Sequence, residues 1–220
     1  RDIVRMQQES SKMTYAQIAA LVSIARERGI SIASHDDDSA EKLAFMDGLE
    51  ASISEFPISL DVAREARARG LHTVAGAPNV MLGHSHSGNL SAREAVAAGA
   101  IDVLCSDYYP AALLDAVFAL RDECGLDIAR AFALVSANPA KAAGIADEVG
   151  SLAVGKRADV LLVREIACGE AGTRTMPVVT RAFVGGRSVF RSHYPDQPLG
   201  YARDLGEHVQ VGRALASEAV

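Results

Sequence analysis

Between Thr14 and Cys124 the chain repeats one pattern four times: a helix-periodic stretch, a glycine, a short apolar run and a polar loop. The glycines stand at Gly29, Gly48, Gly70 and Gly99. The apolar runs predict strands over Ile30–Ser34, Leu49–Ser54, Leu71–Gly76 and Ala100–Ser106. Strands separated by helices cannot pair as hairpins, so the sheet is expected to be parallel with right-handed crossovers. Helix starts are marked by Thr14 with Gln17, Ser39, Ser59 and Ser91 with Glu94. Pro110 suits the first position of a further helix reaching Cys124. Repeats of this length fit the βα units of a (β/α)8 barrel or a doubly wound sheet. No GxGxxG follows the first strand, which weakens the dinucleotide-binding version.

After Gly125 the pattern changes. Asp127 to Ala137 reads as helical, and Asn138-Pro139 opens a short helix ended by Gly144. Val149 to Val163 mixes turn glycines with a β-rich run, and Pro177 to Phe190 reads as a hairpin about Gly185-Gly186. The division expected is a partial (β/α) barrel over 1–148, a small β element over 149–194 and a tail over 195–220. A net charge of −6 with interspersed signs leaves no basic stripe for nucleic acid. No apolar run approaches the roughly 20 residues that span a bilayer, so neither nucleic acid nor membrane is expected as a partner. Cys105, Cys124 and Cys168 lack CxxC spacing and read as reduced thiols, with a cytoplasmic location expected. The chain opens on Arg1 rather than Met, and a piece of a longer protein is expected.

His35, Glu55, Asn79 and Asp107 each lie just past the carboxyl end of an expected strand. In a parallel barrel those ends converge on one face. His and carboxylate groups suit zinc, manganese or iron. Taken alone, His35 reads as an N-cap or loop residue, and Glu55 equally as a solvated loop acid. Asp36, Asp37 and Asp38 read as helix-start acids favoured by the macrodipole. His84-Ser85-His86-Ser87-Gly88-Asn89 offers imidazoles, hydroxyls and amides suited to an anion. His72, His193 and His208 have no supporting context.

Five pieces, Ser34-His35-Asp36-Asp37, Ser54-Glu55-Phe56-Pro57, Gly76-Ala77-Pro78-Asn79, Ser85-His86-Ser87-Gly88-Asn89 and Ser106-Asp107-Tyr108-Tyr109-Pro110, stand in that order. Together they closely resemble the PhnM phosphonate-metabolism proteins of the amidohydrolase superfamily. Gly155-Lys156-Arg157-Ala158-Asp159 resembles that superfamily's return from barrel to β-sandwich. The resemblance implies the carboxy-terminal half of a distorted (β/α)8 amidohydrolase barrel with a small β-sandwich element. It also implies a divalent-metal-dependent hydrolase that converts α-D-ribose 1-methylphosphonate 5-triphosphate to the 5-phosphate, releasing diphosphate. By the same resemblance His35 is a metal ligand, and Asp107 binds metal and handles the proton of the attacking water. Glu55 stands where most amidohydrolases have a histidine; the resemblance implies either that it is the substitute ligand or that the site holds fewer metals than its relatives. Asn79, His84, His86 and Asn89 are expected to contact the phosphorylated ribosyl phosphonate. A homo-oligomer is expected. The alternatives are an amidohydrolase cleaving a C–N bond, as a deacetylase or cyclic-amide hydrolase does, and a non-catalytic incomplete barrel acting through oligomerisation.

Overall fold

The computed structural model describes residues 13–83, 90–168 and 174–192. The chain divides into two compact units, with the boundary between Arg157 and Ala158. The first unit contains α1 (Tyr15–Glu27), β1 (Ala33–His35), α2 (Ala40–Asp47), β2 (Ile53–Glu55), α3 (Leu60–Ala68) and β3 (His72–Gly76). It continues through α4 (Ala77–Leu82), α5 (Ala92–Ala97), β4 (Val103–Cys105), α6 (Ala112–Cys124), α7 (Ile128–Ala133) and α8 (Ala137–Ala142). The four strands form one parallel sheet in the order β1-β2-β3-β4, as the helix–strand alternation predicts. Among the described residues no helix is long and apolar enough to cross a membrane.

Local chemistry sets the helix boundaries. The Thr14 hydroxyl accepts from Gln17 N while Gln17 Oε1 accepts from Thr14 N, a complete capping box. Ser39, Ser59 and Ser91 accept from the amides of Lys42, Val62 and Glu94, each worth about 1 kcal/mol to its helix. Gly70 and Gly99 end their helices at φ +87° and +69°, where a side chain would be strained. Gly48 differs: it remains right-handed at φ −62°.

Three local expectations are corrected. The expected strands shrink, because β1, β2 and β4 each pair over three residues only. Ala77 to Leu82, in the stretch between Gly76 and Ser91 where the repeat predicts a polar loop, is helical, with Pro78 in the first turn where its missing N–H leaves no bond unmade. Pro110 precedes its helix rather than opening it: α6 starts at Ala112, after a turn in which Tyr109 N donates to Ser106 O.

Register decides which residues share a face. Ser34, Ser54 and Thr73 stand opposite one another, as do His35, Glu55 and Val74 one position on. Ala75 and Leu104 face the helices, packed with Ala63, Val80, Val96 and Leu120. The opposite face carries Ile53, Val74, Val103 and Cys105, with Ala142 of α8 packed against it. At the amino end of the sheet, Asp102 ties β3 to β4. Its Oδ1 accepts from Thr73 N at 2.8 Å, and its Oδ2 lies 2.8 Å from both Arg67 Nη1 and His72 Nδ1. His72 therefore has a partner that its sequence context does not reveal.

Residues 149–157 lie with the first unit. Arg157 N donates to Glu148 O, and Lys156 Nζ donates to Ala146 O and Ser151 Oγ, closing this glycine-rich segment back on the end of the barrel portion. The second unit contains β5 (Val160–Cys168), β6 (Arg174–Val184) and β7 (Arg187–Arg191), antiparallel in that order. Gly185 and Gly186, at φ +56° and +77°, make the two-residue turn. The tail over 195–220, with His208, and His193 lie outside the described residues.

Candidate active site

The carboxyl edge of the parallel sheet concentrates unusual backbone. Asp36 follows β1 at φ +54°, Phe56 follows β2 at φ +54°, and Asp107 lies just past β4 at φ +50°. For a non-glycine residue this conformation costs roughly 1–2 kcal/mol. Three such residues at one edge are the kind of strain that a functional site retains. The ladder continues into the turns, since Asp36 N donates to Glu55 O and Phe56 N to Val74 O, both at 2.9 Å. Each strand thus delivers its last side chain to the edge and then turns abruptly away.

His35 and Glu55 are register partners, which sets their backbones about 4.8 Å apart on one face. The His35 side chain is 56% exposed, and its Nδ1 lies 3.0 Å from Asp36 Oδ2. Its ring meets Phe56 edge-on, with centroids 5.2 Å apart. Asp107 leans over the end of β3, where a Cβ on Gly76 would stand 3.1 Å from its Oδ2. Glycine at 76 is what leaves room for that carboxylate.

Cys105 sits close enough to both Glu55 and Asp107 to feel their charges. Burial is the main cause pushing its thiol above the ordinary range. The Asp107 backbone hydrogen bond opposes the rise, and the two carboxylates add to it. Cys105 was expected only as a reduced thiol; its place at the end of β4, two residues before Asp107, is the signal that puts it at this edge.

A cavity of about 210 Å³ opens beside these groups, with Asp36, Phe56, Gly76, Asn79, Asp107 and Tyr108 in its wall. Asn79 lines it, but its amide also works within the fold. Its Nδ2 donates to Leu90 O and its Oδ1 accepts from Ala92 N, both at 3.0 Å. One N–H and one lone pair remain for a ligand. His84, His86 and Asn89 lie outside the described residues. Among the described residues no group of three or more His, Cys, Asp or Glu is gathered closely enough to hold a metal ion. His35, Glu55 and Asp107 therefore share an edge without closing into a metal site, and the Asp36 carboxylate stands against His35 Nδ1.

Of the three acids read as helix-start residues, Asp36 and Asp38 are exposed and Asp37 is not. Asp37 is fully buried, held between β1 and β2 by the hydroxyls of Ser34 and Ser54.

The amidohydrolase family model matches residues 4–189 of the chain. The chain belongs to the amidohydrolase family. This amidohydrolase is 41% identical over 145 residues to the alpha-D-ribose 1-methylphosphonate 5-triphosphate diphosphatase of Escherichia coli (strain K12), covering 65% of this chain and 38% of that protein. The PhnM resemblance read from the five motifs is carried by this match. Among solved structures, a zinc-bound adenosine deaminase from Xanthomonas campestris aligns with TM-score 0.57 at 15% identity, covering 94% of this chain and 55% of that one. An amidohydrolase from Thermotoga maritima MSB8 aligns with TM-score 0.58 at 20% identity, covering 84% and 50%. A D-hydantoinase from Thermus sp. aligns with TM-score 0.59 at 16% identity, covering 81% and 61%. These likenesses establish the α/β, barrel-type fold of the amidohydrolase. The chain spans well under half of the curated relative and about half to three-fifths of these solved chains.

Proposed function

We propose that this chain supplies one half of the active site of a metal-dependent diphosphatase acting on a ribosyl 5-triphosphate phosphonate. The supporting observation is the shared carboxyl edge: His35 and Glu55 stand in register on one face, and Asp107 leans over Gly76 beside the cavity. The similarity to the E. coli diphosphatase supports the substrate class.

The donors described do not close round an ion, so the chemistry assigned here is what these side chains perform themselves. The Asp107 carboxylate accepts the proton of a water attacking phosphorus, the general-base task of a group held within reach of its proton. Its left-handed turn and the open space over Gly76 hold that carboxylate at the cavity wall. His35 and Glu55 act as donors for a cation whose remaining ligands come from outside this set. The cavity wall mixes apolar side chains with Asn79, Tyr108 and the carboxylates of Asp36 and Asp107. Sugar hydroxyls can donate to these carboxylates, and a cation held by His35 and Glu55 would offset their repulsion of the triphosphate beside Asp107.

The test follows phosphorus by ³¹P NMR with alpha-D-ribose 1-methylphosphonate 5-triphosphate and zinc or manganese. The chain alone is expected to release no diphosphate. Fused behind the amino-terminal part of the E. coli relative, it is expected to release diphosphate and the 5-phosphate. Turnover by the chain alone would defeat the half-site reading. A fusion that is inert to the triphosphate yet opens a cyclic amide would defeat the substrate assignment.

A further inference from the structure

Asp37 takes no part in the chemistry above, yet its carboxylate is 0% exposed. Its Oδ2 accepts from Ser34 Oγ and Ser54 Oγ, each at 2.5 Å. Those serines face each other in the ladder and immediately precede His35 and Glu55. Successive strand residues project to opposite faces, so the hydroxyls lie on the side opposite the two site residues. A single carboxylate oxygen thus ties the two strands together one residue before each delivers its functional side chain.

The other oxygen, Oδ1, makes no hydrogen bond. Lys42 Nζ stands 3.7 Å from it, close enough for Coulombic attraction and too far for a hydrogen bond. The same ammonium donates to the carbonyl oxygens of His35, at 2.7 Å, and Asp36, at 2.8 Å. It therefore grips the backbone on both sides of the left-handed Asp36. Asp37 O, in turn, accepts from Ile58 N at 3.0 Å, fixing the loop that follows Glu55. A buried carboxylate with an unsatisfied oxygen is a poor device for stability alone, since well-packed apolar groups of similar volume commonly serve as well or better. Its bonds converge instead on the backbone that carries His35 and Glu55.

We propose that Asp37, backed by Lys42, is a positioning residue that fixes the separation of His35 and Glu55 and holds Asp36 in its left-handed turn. The proposal rests on the reading of His35 and Glu55 as site residues, and its test needs no turnover. Two signals report the clamp in the 220-residue chain. One is hydrogen exchange at the Asp36 amide, which bonds to Glu55 O. The other is the His35 ring resonance, shifted by the edge-on Phe56 ring.

In Asp37→Ala, exchange at Asp36 is expected to accelerate by about ten- to a hundred-fold, the range for losing hydrogen bonds to a charged group. The His35 resonance should move toward that of a free histidine, while the Leu120 amide in the α6 core keeps its rate. Should Asp37→Ala fail to fold, Lys42→Met removes the backing charge from a side chain that is 35% exposed. It is expected to produce the same two local changes. Equal acceleration at Asp36 and Leu120 would reduce Asp37 to general stabilisation and overturn the proposal. So would an unmoved His35 signal in both variants. Failure of the diphosphatase assay with intact spectral changes would remove the assigned reaction and leave the clamp standing.

Discussion

Gly76→Ala isolates the approach of Asp107 to the sheet edge. Gly76 has ordinary extended backbone, φ −78° and ψ 132°, so alanine meets no conformational penalty there. Restricting the unfolded chain stabilises the variant by about 0.4–1 kcal/mol. Against this, the new Cβ would lie 3.1 Å from Asp107 Oδ2, 3.4 Å from Asp107 Cβ and 3.5 Å from Phe56 Cε1. Only the first contact is tighter than ordinary, and the carboxylate relieves it by moving a few tenths of an ångström. Rotation about the broad terminal torsion of aspartate achieves that for less than about 1 kcal/mol. The two effects nearly cancel, so urea unfolding followed by circular dichroism should place the variant within about 1 kcal/mol of the parent. Activity should respond differently. A 1 Å misplacement can cost about a hundred-fold, so a few tenths of an ångström corresponds to a fall of about three- to ten-fold in kcat of the fused enzyme. A stability loss above about 3 kcal/mol, far beyond that torsional cost, would refute the picture of a carboxylate free to yield. Unchanged stability with an unchanged rate would refute the role of Asp107.

Asp107→Asn keeps a residue tolerant of the left-handed region. It should lower diphosphate release by about 10²–10⁴-fold, the usual contribution of a positioned base, with a urea midpoint close to the parent. Gly150→Ala should destabilise by about 2–5 kcal/mol, because φ is +87° and the added Cβ would stand 2.5 Å from Ala140 Cβ and 2.8 Å from Ser136 O; a urea midpoint near the parent's would refute that clash. Because burial raises the Cys105 pKa, its alkylation should keep accelerating above pH of about 8.5 and trail that of the exposed Cys124, as peptide mass mapping would show. The folded state favours the neutral thiol, so this contribution to stability is complete below the ordinary thiol pKa and is lost as pH rises through the raised one.

Much of the scaffold was legible because short-range rules govern it. Thr14 with Gln17, and the serines at 39, 59 and 91, each satisfy amides within three residues, so spacing alone reveals them. The helix–strand alternation likewise dictated the parallel order. The misreadings share a cause in tertiary contact. Asp37 sits in a run of acids before a serine cap, and only the Ser34 and Ser54 hydroxyls, brought together by strand pairing, reveal why it is buried. His72 meets Asp102 thirty residues away, across the β3–β4 ladder. At the site, His35, Glu55 and Asp107 could be listed from their positions after strands. The left-handed turns that aim them could not, since nothing about Phe56 announces a positive φ. Cys105 is legible from its position two residues before Asp107, and the register sets it opposite Gly76.

The strand order carries a consequence for how the molecule is made. Because each strand pairs with the one synthesised just before it, a nascent chain finds its partner already formed as every new βα unit emerges. Assembly can proceed by accretion, without the slow search that distant pairings impose. The Asp37 bond to Ser54 spans only 17 residues and can be made early. The hydrogen bond from Ser31 Oγ to Ala142 O spans 111. It must wait until α8 has been synthesised and folds back against the foot of β1, making it a marker for a late step of vectorial folding in this unit.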